Sequence, residues 1–307
     1  MPLKTVQGFL TRQFLERSYT HGRGFTREHV ATSLLHSDEE RTTELQTLRL
    51  LSFNIQVGIS TGQYKHYVTR SWQHVLPSSA RQKNLDRIAH LVHDYDLVAL
   101  QEADGGSLRS GFINQIEYLA HRGHFPWWYQ QLNRNLGHIA KHSNGVLIRC
   151  LPEQLEDHKL PGFIPGRGAI ALELGEKNPI LVVVMHLALS RHGRDVQLSY
   201  IRKLMDNFEH VVLMGDMNAH AGQLLGDSPL TGAGLHSASM DVHTFPSWKP
   251  SKSLDHILLS SSLRAKSFSV LNFPQSDHLP VAVEINLPAG VSIQKRCSTN
   301  KSVLTAH

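Results

Sequence analysis

Asp216 and Asn218 stand two residues apart behind Val211-Val212-Leu213-Met214-Gly215. In an extended chain that spacing sends both side chains the same way. A carboxylate can take a proton or hold a metal, and an amide beside it can donate to an oxyanion, a pairing that suits chemistry on a phosphate. Gly-Asp-x-Asn is also ordinary turn composition, so the rest of the chain must give the pattern its meaning. The same event recurs there. Asn54 ends Leu48-Arg49-Leu50-Leu51-Ser52-Phe53-Asn54, Glu102 ends Leu97-Val98-Ala99-Leu100-Gln101-Glu102, and His186 ends Ile180-Leu181-Val182-Val183-Val184-Met185-His186. Asp255 and the pair Asp277-His278 flank two further apolar stretches. Strands that end on polar side chains imply a shared rim, where sites in α/β sheets form. Carboxylates with amides and no cysteine make an oxygen-rich site that suits Mg²⁺ or Mn²⁺ rather than zinc. Aspartate with histidine can orient and charge an imidazole. Neither Cys150 nor Cys297 has such a strand-end setting, and a covalent serine or cysteine mechanism is not expected.

Short apolar runs predict the strands that deliver these residues: near residues 48–55, 96–102, 127–129, 145–148, 169–174, 180–186, 211–216, 254–259 and 281–285. Helical spacing predicts helices from Ser79 through Val92, from Phe112 to Ala120, and from Gln197 to Phe208. A polar stretch with Asn133, Arg134, His138, Lys141, His142 and Asn144 joins two strands, and residues 161–168 form a turn-rich connection. The order is α/β (α+β), with two packed mixed sheets flanked by helices. A single domain is expected over residues 46–286. An N-terminal extension, 1–45, has weak helical periodicity at 6–14 and 25–35, and a polar, frayed C-terminal tail covers 287–307. The loop 59–79 mixes Tyr64, Lys65, His66, Tyr67, Arg70 and Trp72, a composition suited to stacking on bases or to an interfacial lipid surface.

The chain has 307 residues, 40% hydrophobic and 19% charged, a globular balance with ample core material. A net charge of +5 suits a negatively charged partner. Two cysteines rule out a disulfide framework and a zinc ribbon and favour a reducing compartment. Residues 1–23 lack the apolar core of a signal peptide, and no apolar run approaches the ~18 residues of a membrane span. The expected location is cytoplasmic, with a peripheral position at a membrane left open, and no obligate protein partner is evident.

The ordered set Ser52-Phe53-Asn54, Leu100-Gln101-Glu102, Met185-His186-Leu187, Gly215-Asp216-Met217-Asn218, Leu254-Asp255-His256-Ile257 and Ser276-Asp277-His278-Leu279-Pro280 resembles the endonuclease/exonuclease/phosphatase superfamily. The resemblance covers residues ~48 to 286 and implies the deoxyribonuclease-I-like fold, a four-layered α/β sandwich, and metal-dependent hydrolysis of a phosphate ester. By that resemblance Glu102 is the metal-binding glutamate, with Asn54 beside it and Asp277 as a second metal-side carboxylate. Asp216 orients or deprotonates water, and Asn218 holds the phosphate. His278, partnered by Asp255, contacts the scissile phosphate. His186 resembles the strand-end histidine of the nuclease and sphingomyelinase branches, which aids the leaving group or phosphate. Asn144 and Arg167 are candidate further phosphate contacts. The peripheral motifs resemble a bacterial branch of metal-dependent hydrolases related to neutral sphingomyelinases, and the apurinic endonuclease branch differs at His186. The expected substrate is a phospholipid-like or small phosphodiester. DNA or RNA is the alternative, and an inactive binding module is the weaker one.

Overall fold

The structure, a computed structural model, describes residues 31–32, 41–56, 79–135, 141–162, 166–238 and 242–297. Its first strands are β1 (Ala31–Thr32), β2 (Arg41–Glu44), β3 (Thr47–Asn54), β4 (Leu97–Asp104), β5 (Trp127–Asn135) and β6 (Lys141–Ile148). A second series follows: β7 (Gln154–Lys159), β8 (Gly168–Leu174), β9 (Ile180–His186), β10 (His210–Asp216), β11 (Leu235–Ser237) and β12 (Asp255–Ser260). The chain then returns through β13 (Arg264–Val270), β14 (Val281–Asn286) and β15 (Gln294–Cys297). The helices are α1 (Ser79–Val92), α2 (Gln115–Arg122), α3 (Arg191–Met205) and α4 (Ala221–Gly226).

Seven strands form one sheet, in the order β1-β5-β6-β4-β3-β14-β13, and six form a second, β11-β12-β10-β9-β8-β7. Each sheet contains one parallel pair, β3 with β4 and β9 with β10, flanked by antiparallel neighbours. Period two sorts the central side chains into layers. Leu48 and Leu50, Val182 and Val184, and Val212 and Met214 enter the core between the sheets. Their alternates do otherwise: Leu51 and Phe53 meet Leu85 and Ile88 of α1 and Leu119 of α2, while Leu181, Val183, Val211 and Leu213 meet Leu198 and Ile201 of α3. Burial on both faces explains why these strands read as unbroken apolar runs. Each fully buried Leu, Val or Phe contributes about 1.5–3 kcal/mol.

The same parity places the site. Asn54 continues the side of Leu48 and Leu50, His186 that of Val182 and Val184, and Asp216 that of Val212 and Met214. The polar residues therefore begin where the inter-sheet core ends, at the C-terminal edge of both parallel pairs.

Gly215 makes the delivery of Asp216 possible. Its φ is 144°, and a Cβ there would lie 1.9 Å from the Met185 carbonyl oxygen on β9. Gly215→Ala is expected to destabilise the fold by about 3 kcal/mol or more, read from urea unfolding. A loss below about 1 kcal/mol would show that β9 and β10 separate without cost.

Several boundaries differ from the sequence expectation. Helix α3 starts at Arg191 rather than 197, because Ser190 caps it by accepting from Gly193 N at 3.2 Å. Helix α2 starts at Gln115 rather than 112, capped by Asn114, whose Oδ1 accepts from Ile116 N at 3.1 Å and Glu117 N at 3.3 Å. The polar stretch 133–144 supplies the ends of β5 and β6, with Asn135 opposite Lys141. Strands β7, β11 and β13 were not anticipated. Beyond the expected boundaries, β2 pairs with β15 in a small sheet, β1 pairs with β5, and Val291 and Ile293 enter the inter-sheet core. Lys295 Nζ donates to buried Asp96 Oδ1 at 2.5 Å. Residues 287–297 are thus packed rather than frayed, since alternate apolar side chains anchor an otherwise polar segment. Of the helical pattern expected over 25–35, the described residues 31–32 are extended; the pattern at 6–14 and the aromatic-basic part of the 59–79 loop lie outside the described residues. No described helix is long and apolar enough to cross a membrane.

Candidate active site

Asn54 stitches the two sheets together. Its Nδ2 donates to Glu102 Oε1 on β4 and to Asp216 Oδ2 on β10, each at 3.2 Å, while its Oδ1 accepts from Gln56 N at 3.1 Å. Parity alone would turn Glu102 away from this gap. The β4–β6 register shifts between Leu100 and Ala103, and Glu102 sits at φ 56°. Such a bulge re-aims a side chain. A non-glycine residue in that region costs about 1–3 kcal/mol, and such strain concentrates at functional sites. Asn218 is held likewise, at φ 51°. Its N–H donates to Asp216 Oδ1 at 3.0 Å, and its Nδ2 donates to Leu187 O at 3.0 Å.

Four histidine–carboxylate contacts converge on Asp216 or lie beside it. His186 Nε2 is 3.4 Å from Asp216 Oδ2 and 3.9 Å from Glu102 Oε1. His278 Nε2 is 3.9 Å from Asp216 Oδ2, while its Nδ1 lies 2.8 Å from Asp255 Oδ2. Thr244 Oγ1 donates to that same Asp255 oxygen at 2.5 Å. Phe245 packs on the His278 ring with centroids 4.8 Å apart. Backbone bonds from Ser247 N to Asp277 O, 2.8 Å, and from Leu279 N to Thr244 O, 2.9 Å, fasten the two loops that carry these residues.

Burial, followed by neighbouring charge, decides the protonation states. Burial pushes the Asp216 carboxyl up to about 7, with Asp255 and Glu102 adding to the rise and His278 opposing it. Asp277 rises to about 6, mainly through burial. Burial disfavours the His278 imidazolium, but Asp255 and Asp216 outweigh it and hold the ring well above the ordinary histidine range. His186 falls well below that range through burial, reinforced by Arg167, His278 and His142. One imidazole is therefore a cation and the other a neutral ring on the same carboxylate.

A pocket of about 380 Å³ opens here, lined by Glu102, Arg167, His186, Asp216, Asn218 and His278, with Leu189, Phe245, Lys252 and Leu254. Asn54, Asp255 and Asp277 stand behind the lining, each buried. Asp277 accepts from Ser276 Oγ at 3.2 Å. Asn144 is elsewhere: it is buried, and its Nδ2 donates to Gly168 O at 3.1 Å. That bond holds the backbone next to Arg167, so Asn144 positions the arginine and does not line the pocket. Lys252 and Leu189 had no sequence signal. Lys252 arrives through a β-bridge with Phe245, seven residues earlier. The segment Gly58-Ile59-Ser60-Thr61-Gly62 has the spacing of a serine nucleophile elbow; it lies outside the described residues.

The donor set fits a hard divalent cation. One ligand atom each from Glu102, His186 and Asp216 lie within 4.8 Å of one another. Glu102 and Asp255 help to raise the Asp216 carboxyl, and Glu102 helps to raise that of Asp277, a like-charge strain that a divalent cation would relieve. Two carboxylates and one imidazole make up this group and no cysteine takes part, a set that can hold a divalent cation.

Two mixed sheets face to face, clad by helices and carrying a carboxylate–amide–histidine site at their strand ends, define a deoxyribonuclease-I-like α/β sandwich. The sequence model of the Endonuclease/Exonuclease/phosphatase family matches residues 51–278, and the chain belongs to that family. Its members are hydrolases acting on phosphoester bonds. Among solved structures, an endonuclease/exonuclease/phosphatase from Beutenbergia cavernae DSM 12333 superposes with a TM-score of 0.60 at 17% identity, over 80% of this chain and 72% of its own. A mannosyl-6-phosphatase from Bacteroides thetaiotaomicron VPI-5482 gives 0.56 at 17% identity, over 78% and 100%. TDP2 of D. rerio, complexed with single strand DNA product, gives 0.54 at 16% identity, over 78% and 99%. Comparison with curated proteins gives no sequence match.

Proposed function

We propose that this chain is a divalent-metal-dependent phosphodiesterase that hydrolyses a phospholipid-like or small diester with an activated water. The observation that carries the reading is the Asp255–His278–Asp216 array facing Glu102 and His186 across one pocket. Asp216 takes the proton of the attacking water; burial raises its carboxyl to about 7, a range suited to a general base. Asn218 spends one amide hydrogen on Leu187 O, which orients the remaining one for a phosphoryl oxygen. His278 is held protonated by Asp255 and presents Nε2–H to the charge that develops on the phosphate. His186, kept neutral, serves the leaving group without adding charge. Glu102, with Asn54 and Asp277 behind it, would hold Mg²⁺ or Mn²⁺. When bound, that ion polarises a phosphoryl oxygen and offsets charge on the leaving oxygen.

Arg167 supports a second contact to the phosphate. It lines the pocket and makes no ion pair with any carboxylate among the described residues. The pocket volume matches small-molecule sites, and Leu189, Phe245 and Leu254 suit an apolar substituent on the diester. The test is turnover of bis-p-nitrophenyl phosphate, phospholipid vesicles and plasmid DNA by the full chain with Mg²⁺, Mn²⁺ or chelator. Metal-dependent hydrolysis of the diester or lipid, abolished by chelator, is expected. Hydrolysis in chelator, or of none of the three, would overturn the reading. Preference for DNA, with affinity falling steeply against salt, would move the substrate to nucleic acid.

A further inference from the structure

The turn after Glu102, beyond the end of β4, carries apolar side chains outward at the rim of strand ends. Asp104 builds that turn: its carboxylate accepts from Ser107 N at 2.7 Å, Ser107 Oγ at 2.7 Å and Ser110 Oγ at 2.9 Å. The turn is therefore rigid, yet it presents Leu108 at 41% exposure and Phe112 at 62%. Phe112 is also at φ 63°. An aromatic residue in the left-handed region is a genuine outlier, and here no burial in the core compensates for it. Leu132, 49% exposed, lies over Gly105 of the same turn, where a Cβ would meet its Cδ2 at 2.7 Å. Leu189, 76% exposed, follows β9 at the same pole and lines the pocket. Cations accompany them. Lys141 abuts Gly105 across a 2.9 Å backbone bond, and exposed Lys252 lines the pocket.

We propose that this rim docks on an anionic phospholipid surface, with Leu108, Phe112 and Leu132 entering the headgroup boundary and Lys141 and Lys252 meeting lipid phosphates. Apolar side chains accompanied by two lysines match the chemistry of an interfacial membrane contact, which combines buried apolar area with attraction to anionic lipid. The net charge of +5 has the complementary sign. Of the three apolar side chains only Phe112 carries a ring, where a single-strand platform stacks successive bases on several, which disfavours a nucleic-acid partner on this face. The docking stands on the surface alone; its consequence, that the diester is a membrane phospholipid, rests on the phosphodiesterase reading above.

The experiment is flotation of the full chain with vesicles of phosphatidylcholine, with or without phosphatidylglycerol, beside turnover of soluble bis-p-nitrophenyl phosphate. Partition onto the phosphatidylglycerol vesicles should exceed that onto phosphatidylcholine alone by roughly tenfold or more. Phe112→Asn should lower that partition by roughly tenfold while leaving soluble turnover unchanged. Its melting temperature should not fall, because asparagine tolerates positive φ, whereas a structural Phe112 would give a clear drop. Leu108→Ser should act the same way and serves if Phe112→Asn does not fold. Unchanged partition in both variants, or no preference for the anionic vesicles, would overturn the proposal. Self-association in sedimentation velocity that Phe112→Asn abolishes would overturn it too, in favour of a second copy of the chain. Flotation without soluble turnover upholds the docking and counts against the hydrolytic reading, so the two fail separately.

Discussion

His278→Ala is expected to lower turnover of a phosphodiester by at least about a hundredfold, the usual cost of removing one donor aimed at developing charge. Two observations single out His278. It is the buried imidazole that its surroundings hold protonated, through Asp255 at 2.8 Å and Asp216 at 3.9 Å. Its ring is also clamped, by Phe245 at 4.8 Å and by the loop bond from Leu279 N to Thr244 O, so the donor is oriented before substrate arrives. Alanine leaves Asp255 with Thr244 Oγ1 and no cation, a buried charge without its partner, so some stability is lost as well. The decisive reading is kcat at a temperature where the variant's circular dichroism matches the parent. A rate within tenfold of the parent would remove His278 from the reacting groups.

Asp216→Asn should have an effect at least as large on rate and the opposite sign on stability. The carboxylate is the meeting point of Asn54, His186, His278 and the Asn218 backbone. An amide fills the same space and keeps an oxygen for Asn218 N–H, but it cannot accept the water's proton. A fall of at least about a hundredfold in kcat follows. Asp216 is also buried beside the carboxylates of Glu102 and Asp255. Removing one of three like charges should hold or raise the melting temperature in chelator, the trade between activity and stability common at active sites. A melting temperature several degrees lower, with the rate preserved, would make Asp216 a structural residue.

Much of this site was legible because its residues interrupt apolar runs. Asn54, His186 and Asp216 keep the parity of the core side chains before them, so reading the run also read the direction of its last residue. Glu102 was found by type and position, but its direction depends on a bulge at φ 56°, which no local pattern encodes. Asn144 looked like a phosphate ligand, and its bond to Gly168 O became visible only once β6 lay against β8. Strands β2, β13 and β15 escaped because they are polar edge segments, Arg-Thr-Thr-Glu, Arg-Ala-Lys-Ser-Phe-Ser-Val and Gln-Lys-Arg-Cys. An edge strand takes its conformation from its neighbour's free backbone groups more than from its own apolar period. The start of α3 escaped for a related reason: its first turn, Arg191-His192-Gly193, is fixed by the Ser190 cap and not by hydrophobicity.

Strand β14 lies between β3 and β13, so β3, at residues 47–54, keeps one edge open until residues 281–286 return to it. The second sheet, 154–260, is made entirely in the interval. Asp277 and His278 precede β14 directly. On a ribosome, the chain would therefore carry Asn54 and Glu102 through most of its synthesis, and His186 and Asp216 through the later part, without the imidazolium or the closing strand. Under the proposed hydrolysis, competence arrives only once β14 is made, a built-in delay in which the nascent chain lacks the complete site. Closing β3 against a strand more than two hundred residues away is also the slow kind of pairing, so refolding should end, not begin, with the appearance of activity.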